Sequence, residues 1–230
     1  MNVIKHVTGN IFDSERHTIV NAVNCVGVMG AGIALEYRLR YPEMFEKYQS
    51  FCESNLLDIG KLWIYKPENG PWILNFPTKK HWKYPTKEEY LRKGLSKFLS
   101  EYKEKGIQSI AFPLLGADKG GLGKSKSMAL LQEYLSELDI DVDIYQFDPQ
   151  AADSLCEKIK NIVLNCSPSE YSHIVKFGKV ELEKLQIHLA ESSIKQISNL
   201  LKIKGIGNKT VEKLYQLGNF TPKSYQPSLL

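Results

Sequence analysis

The sequence predicts an α/β fold, with helices on both faces of a mixed β-sheet, followed by a small all-α region. Up to residue 150, short β-branched and apolar runs alternate with longer amphipathic runs, as strands and helices do in α/β proteins. Two of the short runs lead through a glycine-rich loop into a helical run, which is typical of parallel strands. Beyond residue 150 the pattern is helical.

The first elements are two strands followed by two helices. Residues 3–7 and 18–23 are β-branched and apolar and are too short for helices. The helical run at 33–39 ends before Pro42. That proline begins the next predicted helix, residues 42–53, because proline is tolerated in a first helical turn.

A hairpin and a long helix come next. Residues 60–65 and 72–76 are rich in β-forming residues and flank a turn that contains proline and glycine, so they predict an antiparallel pair. Thr86 precedes two glutamates and is the predicted N-cap of a helix over 87–105. Gly106 is predicted to end that helix.

The α/β region closes with a strand, a helix and a last strand, predicted at 108–115, 125–138 and 142–147. Helices are then predicted over 150–164 and, as one or two helices, over 178–201. The predicted domains are residues 1–150, residues 151–220 and a tail of residues 221–230, which we expect to be disordered.

Residues 203–214 read helix, hydrophobic-Gly-hydrophobic-Gly, helix, and this resembles a helix-hairpin-helix element. In that motif, glycines expose backbone N–H groups that hold a DNA phosphate without reading sequence. The alternative is an ordinary αα-hairpin that packs on its neighbours. The candidate DNA-binding residues are Gly205, Gly207, Lys204 and Lys209.

The net charge of +4 comes from the end of the chain. Residues 191–230 contain six lysines but only two acidic residues, Glu191 and Glu212. A basic end favours an anionic partner such as nucleic acid, although a merely solvated lysine-rich tail has the same composition.

Several classes of protein are excluded by composition. No apolar run approaches the ~18 residues that a membrane span needs, and the N-terminus lacks the apolar stretch of a signal peptide. The cysteines have no metal-type spacing with histidine, which predicts reduced thiols, a cytoplasmic location and no metal site. They are Cys25, Cys52, Cys156 and Cys166. We also expect no cofactor.

Two glycine-rich loops, residues 27–32 and 116–123, each follow a strand and precede a helix. Both should therefore lie at the carboxyl-terminal edge of the sheet, where open α/β sheets bind ligands. Glycines there allow backbone N–H groups and a helix N-terminus to hold a diphosphate. The alternative for the first loop is a tight turn without a ligand. The sequence of this loop matches neither a P-loop nor the G-x-G-x-x-G of nicotinamide enzymes.

Four sequence motifs make the prediction specific. N-A-V-N at 21–24 precedes the first glycine loop, and T-G-N-I-F occupies 8–12. N-F-P-T-K-K-H-W occupies 75–82, and P-L-L-G-A-D-K-G-G-L occupies 113–122. Residues 1–150 thus resemble the macrodomain family, in the branch that holds terminal ADP-ribose glycohydrolases and DarG-type antitoxins. The resemblance implies a three-layer α/β/α fold that binds ADP-ribose.

The resemblance also implies a binding site. Asn21 and Asn24 would face the distal ribose, and Asn10, where the family usually has aspartate, would accept a hydrogen bond from the adenine amino group through its carbonyl. The complete set of implied ADP-ribose-binding residues is Gly9, Asn10, Ile11, Asn21, Asn24, Gly30, Ala31, Gly32, Ile33, Thr78, Gly116, Ala117, Gly120, Gly121 and Leu122.

Lys79, which follows threonine in T-K, is catalytic by resemblance, and its neighbour Lys80 is the second choice. A lysine attacks only as the free amine, so the site must lower its pKa; the alternative is a lysine that anchors phosphate or is solvated. Trp82 could stack on a base or simply pack. One member type has aspartate at the position of Gly120, and DNA-directed members continue with D-W after the position of Leu122. This chain does not.

These implications leave three hypotheses. The first is an ADP-ribosyl glycohydrolase that removes ADP-ribose from DNA bases, as the antitoxin of a DNA-modifying toxin. The second is an ADP-ribose hydrolase directed at proteins. The third is a non-catalytic ADP-ribose reader with a DNA-binding tail. The expected partners are ADP-ribose, ADP-ribosylated single-stranded DNA and a cognate ADP-ribosyltransferase toxin, with no membrane.

Overall fold

A computed structural model describes residues 3–220. The chain divides into two compact units between Pro149 and Gln150. The first unit is α/β and the second is helical, so the predicted fold class is confirmed. The predicted tail, residues 221–230, lies outside the described residues. Across residues 3–220, every helix is too short or too polar to cross a membrane.

The first unit is built on a six-stranded sheet in the order β1-β6-β5-β2-β4-β3. All neighbouring strands pair in parallel except β3 and β4, which are antiparallel. The predicted mixed sheet, with its hairpin, is therefore confirmed. The strands are β1 (Ile4–Gly9), β2 (Thr18–Asn24), β3 (Trp63–Tyr65), β4 (Trp72–Lys79), β5 (Ser109–Pro113) and β6 (Asp141–Phe147).

Helices cover both faces of this sheet and give it two hydrophobic cores. On one face Tyr37 and Tyr48 pack with Ile19, and on the other Leu95 packs with Val20. Successive residues of β2 thus enter opposite cores, as the alternation of side chains along a strand requires. The helices of this unit are α1 (Gly32–Arg40), α2 (Pro42–Glu53), α3 (Glu88–Glu101) and α4 (Lys124–Leu135).

The start of α3 corrects one sequence prediction. The helix begins at Glu88 with Lys87 as its N-cap, and it ends at Glu101 rather than 105. Thr86 is buried, and its N–H donates to the Gly120 carbonyl oxygen at 2.8 Å. The N-cap role of Thr86 was a prediction from local sequence alone. In the structure, a contact with a residue distant in sequence holds Thr86 against the second glycine loop instead.

The second unit contains only helices and turns within its described residues. Its first helix begins later than predicted, because the Asp153 carboxylate caps it by accepting from the Cys156 N–H at 3.1 Å. The predicted helical stretch 178–201 is one helix followed by part of a 3₁₀ helix (Ile197–Lys202). The helices are α5 (Ser154–Asn165), α6 (Pro168–Tyr171), α7 (Lys179–Leu189) and α8 (Asn208–Gln216).

Candidate functional site

The carboxyl-terminal edge of the parallel strands gathers the candidate residues of the first unit. Across β2 and β4, Asn24 lies opposite Lys79. Across β1 and β6, Gly9 lies opposite Phe147. Both glycine loops leave the sheet at this same edge, as predicted from the strand–loop–helix pattern.

The Asn24 side chain holds the start of the first glycine loop through hydrogen bonds to its backbone. Its side-chain oxygen accepts from the Val26 N–H at 3.0 Å, and its amide donates to the Val28 carbonyl oxygen at 2.5 Å. The Tyr48 hydroxyl donates to the Asn24 carbonyl oxygen at 2.8 Å. The amide of Asn24 is thus engaged in holding the loop.

Asn21 lies deeper, fully buried in β2. Its amide donates to the Asn75 side-chain oxygen at 2.9 Å. Within the described residues, the Asn21 Oδ1 and the Asn75 Nδ2 have no hydrogen-bond partner. Thr78, another implied ligand, is also buried and donates its hydroxyl to the Val23 carbonyl oxygen at 3.2 Å. These three side chains form a buried polar cluster beneath the carboxyl-terminal edge of the sheet.

The exposed part of the first loop is suited to an anion. Gly30, Ala31 and Gly32 are exposed, and Ile33 is half-buried. Ala31 is the N-cap of α1, and no side chain of the described chain caps that end. The N–H groups of a first helical turn lack intrahelical partners, so a phosphate oxygen can accept from them.

Gly120 is required by the packing of the second loop. A β-carbon at this position would lie 2.3 Å from the Gly116 carbonyl oxygen and 2.5 Å from the Thr86 hydroxyl oxygen. An aspartate therefore does not fit where one member type of the resembled branch has it. Gly121 is exposed, Ala117 is buried, and Leu122 donates its N–H to the Gly116 carbonyl oxygen at 3.0 Å.

We expect Gly120→Asp to lower the free energy of unfolding by about 2 kcal/mol, because overpacking a closely packed turn forces the backbone to move. Thermal unfolding measures this effect. Gly121→Asn is the control, since nothing in the described residues lies within 4 Å of its added β-carbon and asparagine tolerates the positive φ of 74°. An unchanged melting temperature for Gly120→Asp would contradict the packing argument.

Lys79 and Lys80 contact different parts of the unit. The Lys79 ammonium donates to the Lys119 carbonyl oxygen in the second glycine loop. Burial lowers the pKa of Lys79 below its ordinary value. The Lys80 ammonium lies instead 3.8 Å from the Asp58 carboxylate in an exposed ion pair. Lys79 is thus the lysine that contacts the second glycine loop, and across the sheet it lies opposite Asn24.

At the other end of the edge, Asn10 is 5% exposed, and its oxygen accepts from the Phe12 N–H at 3.2 Å. That bond fixes the amide orientation, and its Nδ2 has no partner among the described atoms. Gly9 and Ile11 flank it. Phe147, which the sequence motifs did not single out, is 49% exposed and lies opposite Gly9 across β1 and β6. The sequence did contain a signal for it: the predicted strand 142–147 ends in an aromatic residue at the edge where the glycine loops lie.

The predicted DNA-binding residues of the second unit lie at one turn. Gly205 has a φ of +84°, and Gly207 is the N-cap of α8, which no described side chain caps. Lys204 and Lys209 are exposed beside it. The Lys184 ammonium donates to the Lys204 carbonyl oxygen, which pins the turn to α7.

Across residues 3–220, no group of three or more histidine, cysteine, aspartate or glutamate side chains could hold a metal ion. The groups that the edge offers are the Lys79 amine, the uncapped start of α1 and the exposed Phe147.

Comparison with known proteins identifies similar domains. The family model for the Macro domain matches residues 20–131. The macrodomain of Mycobacterium tuberculosis DarG is 40% identical with a TM-score of 0.61, and the match covers 63% of this chain and 98% of that one. The Thermosipho africanus DarTG in complex with ADP-ribose is 34% identical with a TM-score of 0.59, over 63% of this chain and 42% of that one.

A curated protein of Thermus aquaticus, named DNA ADP-ribosyl glycohydrolase, is 36% identical over 152 residues. That match covers 64% of this chain and 41% of the relative. The chain therefore spans less than half the length of this relative.

Proposed function

Because this chain belongs to the macrodomain family, we propose that it binds ADP-ribose and removes it from DNA bases by hydrolysis of the N-glycosyl bond. The names of its relatives support this substrate: DNA ADP-ribosyl glycohydrolase in Thermus aquaticus, and a DarTG of Thermosipho africanus that has ADP-ribose bound. Two solved macrodomains named DarG, from Mycobacterium tuberculosis and Thermus aquaticus, are 40% and 37% identical to this chain.

ADP-ribose would lie along the carboxyl-terminal edge of the sheet. The adenine would stack on Phe147 beside Asn10, because an exposed ring and a buried polar group there suit a flat heterocycle. The diphosphate would accept hydrogen bonds from the loop at Gly30, Ala31 and Gly32. The distal ribose would then lie near Lys79, between the two glycine loops.

The observation that carries the proposal is the position of Lys79. A partly buried lysine with a lowered pKa supplies more free amine at neutral pH than a solvated one. The amine would attack C1 of the opened ribose while the bond from C1 to the base nitrogen breaks and the base takes a proton. Water would then displace the amine, so the net reaction adds one water and regenerates Lys79.

A comparison of two substrates tests this proposal. We expect release of ADP-ribose from a modified single-stranded oligonucleotide, and little release from a protein linked through glutamate. The reverse preference would favour the protein-directed hydrolase. Binding of ADP-ribose without release from either substrate would favour the non-catalytic reader, and the absence of D-W after Leu122 would be its explanation.

The biological role that we propose is antitoxin-like, with a DNA-modifying ADP-ribosyltransferase as the opposing partner. A curated relative of Thermosipho africanus is named as a fusion of a DNA ADP-ribosyl transferase and a DNA ADP-ribosyl glycohydrolase. We also propose a cytoplasmic location, since the four cysteines, all among the described residues, form no disulfide.

We further propose that the turn at Gly205 and Gly207 binds a DNA phosphate, assisted by Lys204 and Lys209. Lys204→Ala combined with Lys209→Ala should weaken binding of unmodified DNA and reduce the salt dependence by about one phosphate contact per lysine lost. Fluorescence anisotropy over a salt series measures both effects.

The matched control is Lys103→Ala combined with Lys105→Ala, which removes the same charge after α3, at the amino-terminal edge of the sheet. A second test is truncation after Pro149, which should retain ADP-ribose binding because the first unit is compact by itself. Unchanged DNA affinity in both the double variant and the truncation would make the turn a packing element.

A further inference from the structure

The loop of residues 80–87, called here the aromatic loop, connects β4 to α3 and displays large rings on the surface. Trp82 is 49% exposed and Tyr84 is 67% exposed. The His81 ring stacks on Trp82 with centroids 5.7 Å apart, and it lies 5.5 Å from the Tyr84 ring. Exposed aromatic clusters of this kind mark binding surfaces more often than they mark ordinary surface.

This loop is anchored at both ends, by a residue just before the first glycine loop and by a residue of the second glycine loop. At its start the Cys25 N–H donates to the Lys80 carbonyl oxygen at 3.3 Å, and at its end the Thr86 N–H donates to the Gly120 carbonyl oxygen at 2.8 Å. Between them the Tyr84 N–H donates to the His81 carbonyl oxygen at 3.2 Å. The rings are therefore presented on a fixed backbone that begins directly after Lys79.

The segment that carries the rings is itself rich in positive charge. Residues 79–87 contain four lysines and no carboxylate. The Lys83 ammonium lies 5.2 Å from the centre of the Trp82 ring. Lys80 and Lys87 pair with Asp58 and Glu89 only in exposed contacts, which contribute little and are easily exchanged for another anion.

The sheet order separates this surface from the adenine end of the site. Phe147 ends β6, and two strands, β5 and β2, lie between β6 and β4. At a strand spacing of about 4.8 Å, the end of β4 is roughly 14 Å from the end of β6. The rings are thus on the ribose side of the proposed ligand, where the base linked to ADP-ribose and its neighbours in the strand would emerge.

We propose that the aromatic loop binds the single-stranded DNA next to the modified base, with an unpaired base stacked on Trp82 and Tyr84 and the lysines facing phosphates. Aromatic rings interleaved with cations are the usual platform for single-stranded nucleic acid, because every base has a face that can stack. In a duplex the bases are already stacked and would have to be flipped out. This proposal rests on the proposed function, because only that function implies that the bound strand carries an ADP-ribosylated base.

The test uses the full chain with Lys79→Ala, so that the substrate is bound but not cleaved. Affinity is measured for three probes: free ADP-ribose, a single ADP-ribosylated nucleoside, and a single-stranded oligonucleotide with one ADP-ribosylated base. We expect the oligonucleotide to bind more tightly than the nucleoside, and Trp82→Ala to remove about tenfold of that gain. Affinity for free ADP-ribose should not change.

Trp82→Phe keeps a ring and should restore most of the gain, whereas Tyr84→Ala should lose part of it. Val3→Ala removes exposed apolar surface from the opposite edge of the sheet and serves as the control. Equal affinities for the oligonucleotide and the nucleoside, or an oligonucleotide affinity unaffected by both ring deletions, would overturn the proposal. The second result would leave a protein partner as the occupant of this surface.

Failure of the proposed function would be visible separately. Release of ADP-ribose from the oligonucleotide by the chain without any substitution tests the function, whereas the binding of unmodified single-stranded DNA tests the aromatic loop. Loss of unmodified DNA binding in Trp82→Ala would support the loop even if no ADP-ribose is released. Normal release with no ring dependence in either assay would reject the loop and retain the function.

Discussion

Lys79→Ala is expected to lower the release of ADP-ribose from modified single-stranded DNA by about a thousandfold or more, near the upper range for loss of a proton-transfer or nucleophilic group. Affinity for ADP-ribose should stay within about tenfold, because a group that acts in the transition state contributes little to ground-state binding. Rapid-quench kinetics and calorimetry measure the two quantities.

Two further variants separate the roles that a lysine could have. Lys79→Arg keeps the positive charge but remains protonated, so it should be inactive if the amine attacks and active if the lysine only anchors phosphate. Lys80→Ala removes an exposed ion pair with Asp58 and, in our proposal, one phosphate contact, so it should weaken DNA binding while keeping most of kcat. A Lys80→Ala variant as inactive as Lys79→Ala would contradict the assignment.

The pH dependence gives an independent measure of the Lys79 amine. Burial disfavours the charged ammonium and lowers the pKa of Lys79. The free amine therefore accumulates as the pH rises, and kcat should rise with pH to a plateau. Its midpoint should fall below the ordinary lysine value of about 10.4. A rate that falls as the pH rises through neutrality would argue against a lysine that acts as the free base.

Gly32→Val is expected to abolish ADP-ribose binding measured by calorimetry. Gly32 is the first residue of α1, and its φ is +59°, which a β-branched residue strongly disfavours. An added β-carbon would lie 3.7 Å from Lys119 Cγ, so the side chain would project toward the second glycine loop. It would occupy the space in which we propose that the diphosphate lies.

Gly70→Val is the matched control for this loss. Gly70 lies in the turn between β3 and β4, has a φ of +94°, and has no described atom within 4 Å of an added β-carbon. Both substitutions should cost about 1–2 kcal/mol of stability from the left-handed backbone alone. Only Gly32→Val should also lose the ligand. Equal ADP-ribose affinity in the two variants would remove the first glycine loop from the site.

The sequence by itself determined the fold and the edge at which the site forms. The boundaries of α2 match the prediction, and β2 extends it by a single residue, because proline and the run of β-branched residues act locally. The two glycine loops were placed at one edge because consecutive parallel strands point in one direction. Local chemistry and strand direction are both written in short stretches of chain.

Only the tertiary structure decided which residues at that edge face one another. It brought Lys79 rather than Lys80 to the second glycine loop, and it set Thr86 against Gly120 rather than at a helix cap. It also brought Phe147 beside Gly9, although the two lie at opposite ends of the first unit in sequence. These are contacts between distant segments, and their geometry depends on sheet order and packing, which no local sequence pattern encodes.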